Sequence, residues 1–260
     1  MYTLGLDFGS TASKGVILKD GKEIVTHALV PFGTGTTGPE KVKSLLEEKS
    51  GLSREEISYT VVTGYGRMKY KDPNDQQISE LSCHSRGVSF LYPNARTIID
   101  IGGQDVKAMK LDKAGRMTSF LMNDKCAAGT GRFLDVMSNV LETKNSELGN
   151  LDAKATSPVS ISSTCTVFAE SEVISHLSTD ATLEDIVAGI HISVAKRVAS
   201  LVKRVGVEQD VIMVGGVAQN AGVVRALERS LETEIKVPEL AQFTGALGAA
   251  VFAYEKNQKV

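Results

Sequence analysis

Three cysteines in 260 residues are too few for a disulfide framework and odd in number. In a reducing compartment they stay thiols unless a metal claims them. No apolar run approaches the roughly 20 residues that span a bilayer, and the first residues run into a strand without a basic, cleavable leader pattern, so a cytoplasmic location is expected. Neither sign of charge dominates. The formal net charge of −2 leaves no broad basic field for nucleic acid or an anionic membrane. The four histidines have no mutual spacing for metal or catalysis. Charge blocks, low-complexity stretches and long linkers are lacking too, as is the Gly-x-x-x-x-Gly-Lys-Ser/Thr loop of the commonest nucleotide hydrolases.

What is present is ordinary in bulk, with 42% hydrophobic and 23% charged residues in a chain long enough for one large or two modest domains. The informative feature is a repeat. Thr3–Lys14 and Thr97–Lys107 each run as an apolar strand ending in an Asp, a glycine-rich turn, and a second strand with a Lys seven residues after the Asp. Such a duplication predicts two similar half-domains whose Asp tips, Asp7 and Asp100, converge on one ligand. A third element, Val211–Val214 followed by Gly215-Gly216-Val217-Ala218, is a buried strand running into glycines and a helix, and it points to a nucleotide.

Turn and cap signals place the other elements. Asp20-Gly21 predicts a tight hairpin between Lys14–Lys19 and Lys22–Val30. Pro39 opens a helix that ends near Gly51. Tyr59–Thr63 reads as a strand feeding Gly64-Tyr65-Gly66, Asp72-Pro73-Asn74-Asp75 as a loop, and Ile78 through Val88 as a helix that stops before Pro93. The second hairpin unit occupies Thr97–Leu121. Leu183–Val205 reads as the longest helix, capped by Thr182 and ended by Gly206. Further helices begin near Asn220 and Thr244.

In the two turns, Asp7, with Asp100 and Asp105 more weakly, is placed to hold Mg²⁺ through its waters. Ser10, Thr11, Ala12 and Ser13 offer N–H groups and hydroxyls to phosphates, as do Gly102, Gly103 and Gln104; Lys14 adds a point charge. Gln104 is suited to orienting an attacking water. Asp7, Gln104 and Asp105 are therefore the candidate catalytic residues.

Cys126 and Cys165 each precede an expected helix, Phe133–Leu141 and Phe168–Leu177. Placement at a helix N-terminus favours thiolate and an anionic metal centre. Two thiolates are half the usual ligand set of an iron–sulfur cluster, and a symmetric dimer would complete it. Buried structural cysteines, or Zn²⁺ held by four cysteines of a dimer, remain open on the pattern alone. Cys83, on an amphipathic helix, reads as a packed thiol. Arg132 and Glu170 flank the cysteine motifs, where capping and surface charge account for them equally well.

Asp7-Phe8-Gly9-Ser10-Thr11, Asp100-Ile101-Gly102-Gly103-Gln104 and Val214-Gly215-Gly216-Val217 resemble the phosphate and adenosine elements of the actin, sugar-kinase and heat-shock-70 ATPase superfamily. Asn123–Asp135 and Ser162–Glu172 resemble the cluster motifs of 2-hydroxyacyl-CoA dehydratase activators, a likeness that extends from Asp7 to the C-terminus. The resemblance implies an α/β fold of two ribonuclease-H-like (actin-like ATPase) domains with a nucleotide cleft between them. Domain I would span residues 1–94, with the last helix (245–260) returning to it, and domain II residues 95–244. It also implies an ATP-hydrolysing homodimer with one [4Fe–4S] cluster on Cys126 and Cys165 of both subunits. ATP/ADP and Mg²⁺ would be bound in each subunit. Gly131 and Gln242 would join Gly215, Gly216, Val217 and Ala218 among the nucleotide ligands. Reduced ferredoxin or flavodoxin would supply the electron, and a 2-hydroxyacyl-CoA dehydratase would receive it. A benzoyl-CoA-reductase-type ATPase subunit, a small-molecule kinase and a cluster-free regulatory ATPase of the same superfamily are the rival readings.

Overall fold

The computed structural model describes residues 1–70, 75–162 and 165–258, and these divide into two compact units. One unit takes in residues 1–95, 111–118 and the chain from Gln242 onward; the other takes in residues 96–110 and 119–241.

The first unit is built on β1 (Tyr2–Phe8), β2 (Ser13–Lys19), β3 (Glu23–Val30), α1 (Gly38–Ser50), β4 (Ile57–Thr63), β5 (Asp75–Gln77) and α2 (Glu80–Leu91). Its sheet order is β3-β2-β1-β4-β5. The β2–β3 turn has Asp20 and Gly21 both at positive φ, 52° and 68°, as a tight hairpin requires. Pro39 sits in the first turn of α1, and Gly51 ends the helix at φ 70°. Val42 and Leu46 of α1 pack with Leu6, Phe8, Ile17 and Val62. The other sheet face is covered by the C-terminal helix (Thr244–Asn257), whose Ala246, Leu247, Ala250 and Val251 meet Val16 and Leu18. That helix lies so close to α2 that a Cβ on Gly248 would stand 1.8 Å from the Cys83 carbonyl oxygen. Only glycine fits. His84 Nδ1 and Thr244 Oγ1, 3.0 Å apart, tie the same two helices together.

The second unit holds β6 (Thr97–Ile101), β7 (Val106–Leu111), β8 (Met117–Asn123), α3 (Gly131–Val140), α4 (Asn145–Asp152), α5 (Thr166–Leu177), α6 (Leu183–Val205), β9 (Val211–Val214), α7 (Ala221–Leu231) and β10 (Ile235–Lys236); the terminal helix is α8. Its sheet order is β10-β9-β6-β7-β8. The duplication read in the sequence is thus a duplication of topology. β1 pairs antiparallel with β2 and parallel with β4; β6 pairs antiparallel with β7 and parallel with β9. The core joins Ile99 and Ile101 to Phe133, Met137, Ile186, Ile190, Val194 and Val198. Helix α6 has the expected bounds, with the Thr182 hydroxyl accepting from the Asp185 N–H.

Several elements differ from expectation. Ile78 precedes α2, whose N-cap is Ser79. The third strand of the second hairpin unit reaches Asn123 rather than Leu121. The short edge strands β5 and β10 and the helix α4 carry no strong local signal. Of the expected loop, residues 72–74 lie outside the described residues and Asp75 opens β5. The main correction concerns Cys126. It is not at a helix start: a turn over residues 127–130, with Gly129 at φ 86°, separates it from α3, whose N-cap is Thr130. Cys165 does occupy the N-cap of α5.

Candidate nucleotide and cysteine sites

In the first unit, β1 delivers Asp7 to the sheet edge and the β1–β2 register sets Lys14 directly opposite. Lys14 Nζ lies 3.3 Å from Asp7 Oδ2, and the Asp7 side chain is 3% exposed. Its other oxygen, Oδ1, is buried and has no hydrogen-bond partner among the described residues. A buried carboxylate oxygen without a donor asks for one. A hydrated Mg²⁺ fits that demand, because it needs only a carboxylate or two beside phosphate oxygens and its own waters. On the opposite flank β4 ends at Thr63, and Gly64 turns the chain at φ 86° and ψ 178°. A Cβ there would stand 2.3 Å from Asp7 Oδ1.

The turn between β1 and β2 is closed by the Gly9 N–H donating to the Ala12 carbonyl at 3.0 Å. Ser10 and Ala12 are partly exposed and Thr11 is exposed. Ser13 is buried, and its hydroxyl donates to the Phe32 carbonyl at 2.8 Å.

The second unit repeats the arrangement. Lys107 faces Asp100 across β6–β7, with its Nζ 3.3 Å from Asp100 Oδ2 and 2.7 Å from Asp105 Oδ2. Lys107 is only 2% exposed, so its charge is neutralised by these two carboxylates where water cannot do it. Gln104 is exposed at the tip of the turn. The N–H groups of Gly131 and Arg132 donate to the carbonyls of Gly102 and Gly103, joining the start of α3 to this turn. β9 ends at Val214, and Gly215 turns the chain at φ 88° and ψ 178°, nearly the angles of Gly64. A Cβ there would stand 2.6 Å from Asp100 Oδ1. Gly216, Val217 and Ala218 follow in a short 3₁₀ turn, and a Cβ on Gly131 would touch Val217 at 3.5 Å. Gln242 is partly buried where the chain enters α8.

Sequence patterns gave no warning of the polar network behind this corner. Asn220 Oδ1 caps α7 by accepting from the N–H groups of Gly222 and Val223, which leaves its Nδ2 facing His191 Nε2 at 3.1 Å. His191 Nε2 is therefore the acceptor and Nδ1–H the donor to Asp152 Oδ2, also at 3.1 Å. Arg225 binds the same carboxylate. Burial raises the Asp152 pKa, but His191 and Arg225 outweigh it and hold the group below the usual carboxylate range.

The three cysteines fall into two environments. Cys83 is sealed among Val61, Ala249 and Ala253, and burial pushes its thiol up to about 12. Cys126 is partly exposed in its loop, where Asn123 Nδ2 donates to its carbonyl at 2.9 Å. Cys165 is exposed and is followed by the exposed Val167 and Phe168. Glu172 fastens the segment before it, accepting from both the N–H and the hydroxyl of Ser162. Ser163 and Thr164 of this motif lie outside the described residues. Two accessible soft thiols on one unit fit half the ligand set of an iron–sulfur centre.

A family model described as the BadF/BadG/BcrA/BcrD ATPase family matches residues 4–253. The chain is 65% identical over 259 residues to a 2-hydroxyisocaproyl-CoA dehydratase activator of Clostridioides difficile, covering 100% of this chain and 97% of that protein. It is 60% identical over 259 residues to an (R)-2-hydroxyglutaryl-CoA dehydratase activating ATPase of Acidaminococcus fermentans, covering 100% and 99%. Among solved structures, the activator of the 2-hydroxyisocaproyl-CoA dehydratase from Clostridium difficile with bound ADPNP superposes with a TM-score of 0.97 at 64% identity, covering 100% of this chain and 96% of that one. The two mixed sheets with their helices are the actin-like ATPase fold.

Proposed function

The chain belongs to the BadF/BadG/BcrA/BcrD ATPase family, and on that premise we propose that it activates a 2-hydroxyacyl-CoA dehydratase by coupling ATP hydrolysis to delivery of one low-potential electron. The observation that carries this reading is the sorting of the cysteines: Cys126 and Cys165 reach the surface of one unit while Cys83 is sealed away. A kinase or a purely regulatory ATPase has no use for that sorting.

The residue roles follow from the geometry of each unit. Asp7, whose Oδ1 has no hydrogen-bond partner among the described residues, would hold Mg²⁺ through its waters, and Asp100 is the further carboxylate proposed for the ion. Lys14, held by Asp7 Oδ2, presents its ammonium to phosphate oxygens. The turn at Ser10, Thr11, Ala12 and Ser13 offers its N–H groups and the free hydroxyls to phosphate, as does the turn at Gly102 and Gly103. Gln104 orients the attacking water, and Asp105, 2.7 Å from Lys107 Nζ, is the carboxylate to accept its proton. Gly131, Gly215, Gly216, Val217, Ala218 and Gln242 receive the nucleoside. When bound, a [4Fe–4S] cluster shared by Cys126 and Cys165 of two copies supplies one-electron chemistry that protein side chains lack. Reduced ferredoxin or flavodoxin is the donor, and the cytoplasm is the setting that keeps the thiols reduced.

Anaerobic purification followed by visible absorption and iron counting tests the reading. About four irons per dimer are expected, lost in Cys126→Ser and Cys165→Ser and kept in Cys83→Ser, together with ATP-dependent activation of a dehydratase. A colourless, iron-free ATPase would overturn it.

A further inference from the structure

We propose that the exposed face of α6 is the docking surface for an acidic, ferredoxin-class electron carrier, an inference that rests on the activator reading above. Lys196, Arg197, Ser200, Lys203 and Arg204 are all exposed. Their spacing of i, i+1, i+4, i+7 and i+8 puts them on one stripe of the helix. From Ile186 to Val205 the helix contains no Asp or Glu. None of the four cations makes an ion pair or hydrogen bond among the described residues. Several other cations of the same unit are ion-paired: Lys107 with Asp100 and Asp105, Lys125 with Asp124, Arg225 with Asp152 and Lys236 with Asp210. In a chain of net charge −2, this stripe is a local reversal of sign.

The stripe borders both cysteine segments. The stem of Arg197 packs on Gly129, three residues after Cys126, so that a Cβ there would stand 3.3 Å from Arg197 Cγ. A depression of about 430 Å³ is lined by Gly129 of the Cys126 loop, by Ser162 on the approach to Cys165, and by Lys196 and Arg197. A second depression, of about 260 Å³, is lined by Asn123, Ala128, Ser200 and Arg204. Arg197 lines both.

Cations spread along roughly 12 Å of helix, at 1.5 Å per residue, match several carboxylates on a protein surface better than one small anion. Complementary charge of this kind steers encounter and fixes orientation. It would seat the carrier beside the loops that hold the redox centre. In the step itself the carrier loses one electron and the cysteine-held centre gains it; no bond forms or breaks and no proton moves.

The test uses the iron-loaded dimer and the variant Lys196→Glu/Arg197→Glu/Lys203→Glu/Arg204→Glu. Calorimetric affinity for oxidised ferredoxin at two ionic strengths is one readout. The rate of reduction by ferredoxin, compared with that by dithionite, is the other. We expect wild-type affinity to fall with salt, and the variant to lose at least about tenfold in affinity and in ferredoxin-driven rate while its salt dependence flattens. Iron content and ATP hydrolysis stay at the wild-type level, and reduction by dithionite remains as fast or faster. Lys203→Gln/Arg204→Gln, which leaves the Arg197 contact with Gly129 in place, gives a smaller loss of the same kind should the fourfold variant lose its iron. Unchanged ferredoxin affinity in an iron-loaded variant overturns the docking surface alone. A wild-type protein without iron overturns the activator reading, and this inference with it.

Discussion

Lys14 Nζ stands 3.3 Å from Asp7 Oδ2, and the two residues are direct partners in the β1–β2 register. Lys107 and Asp100 repeat the relationship at the same 3.3 Å across β6–β7. The copies are not equal, however. The second lysine is also claimed by Asp105, whereas Asp7 retains a buried oxygen with no donor among the described residues. That asymmetry makes the first copy the better seat for a hydrated cation.

Asp7→Asn keeps the shape and removes the charge. ATP hydrolysis should fall on the order of 10²-fold or more, and the Mg²⁺ concentration for half-maximal rate should rise, with Tm little changed. Steady-state hydrolysis across a Mg²⁺ titration checks this. An unaltered Mg²⁺ dependence would remove Asp7 from the metal site.

Gly64→Ala should destabilise strongly. It adds a strained positive φ, costing about 1 kcal/mol or more, to a clash with the Asp7 carboxylate at 2.3 Å. Gly51→Ala carries the same kind of strain at φ 70°, but the space beyond is open, so it should cost only about 1 kcal/mol. Denaturant unfolding of the two variants separates strain from collision.

The Asp152 carboxyl lies below its ordinary range in the folded chain. A depressed pKa contributes stability that is present above the unfolded-state value and is lost as pH falls through the folded one. Thermal melts from pH 6 down to the acid limit should therefore show an acid loss of stability that is shallower in Asp152→Asn. An acid limb of identical steepness in the two proteins would discard the network as its source.

Thiol titration of the iron-free protein at pH 8 should find two reactive groups, with Cys165 faster than the half-covered Cys126. Cys83, fully buried with its thiol pushed up to about 12, would be thiolate in only about one molecule in 10⁴. It should react only on unfolding. Rapid modification of three thiols in the native protein would contradict the sealed packing.

The repeat, with a Lys seven residues after each Asp, the Asp20-Gly21 hairpin, the bounds of α6 and the β9 strand were all legible in the chain. Each depends on interactions between near neighbours: a two-residue turn sets register, a threonine caps the next turn, and a 3.6-residue apolar period marks one face. The Cys126 loop was misread for a local reason as well. Gly129 takes a left-handed conformation after Cys126, and Thr130 caps the helix only beyond it.

The strand–Asp–glycine-turn pattern and the cysteine motifs sufficed to indicate an actin-like ATPase fold and the likeness to dehydratase activators, because they are written in contiguous residues. Tertiary structure alone decided that Gly64 and Gly215 form equivalent corners against their aspartates. It also decided that β5 and β10 add strands by parallel pairing and that His191 is held between Asp152 and Asn220. These outcomes depend on which distant segments meet, and burial, a missing hydrogen-bond donor and a close backbone approach arise only after they have met.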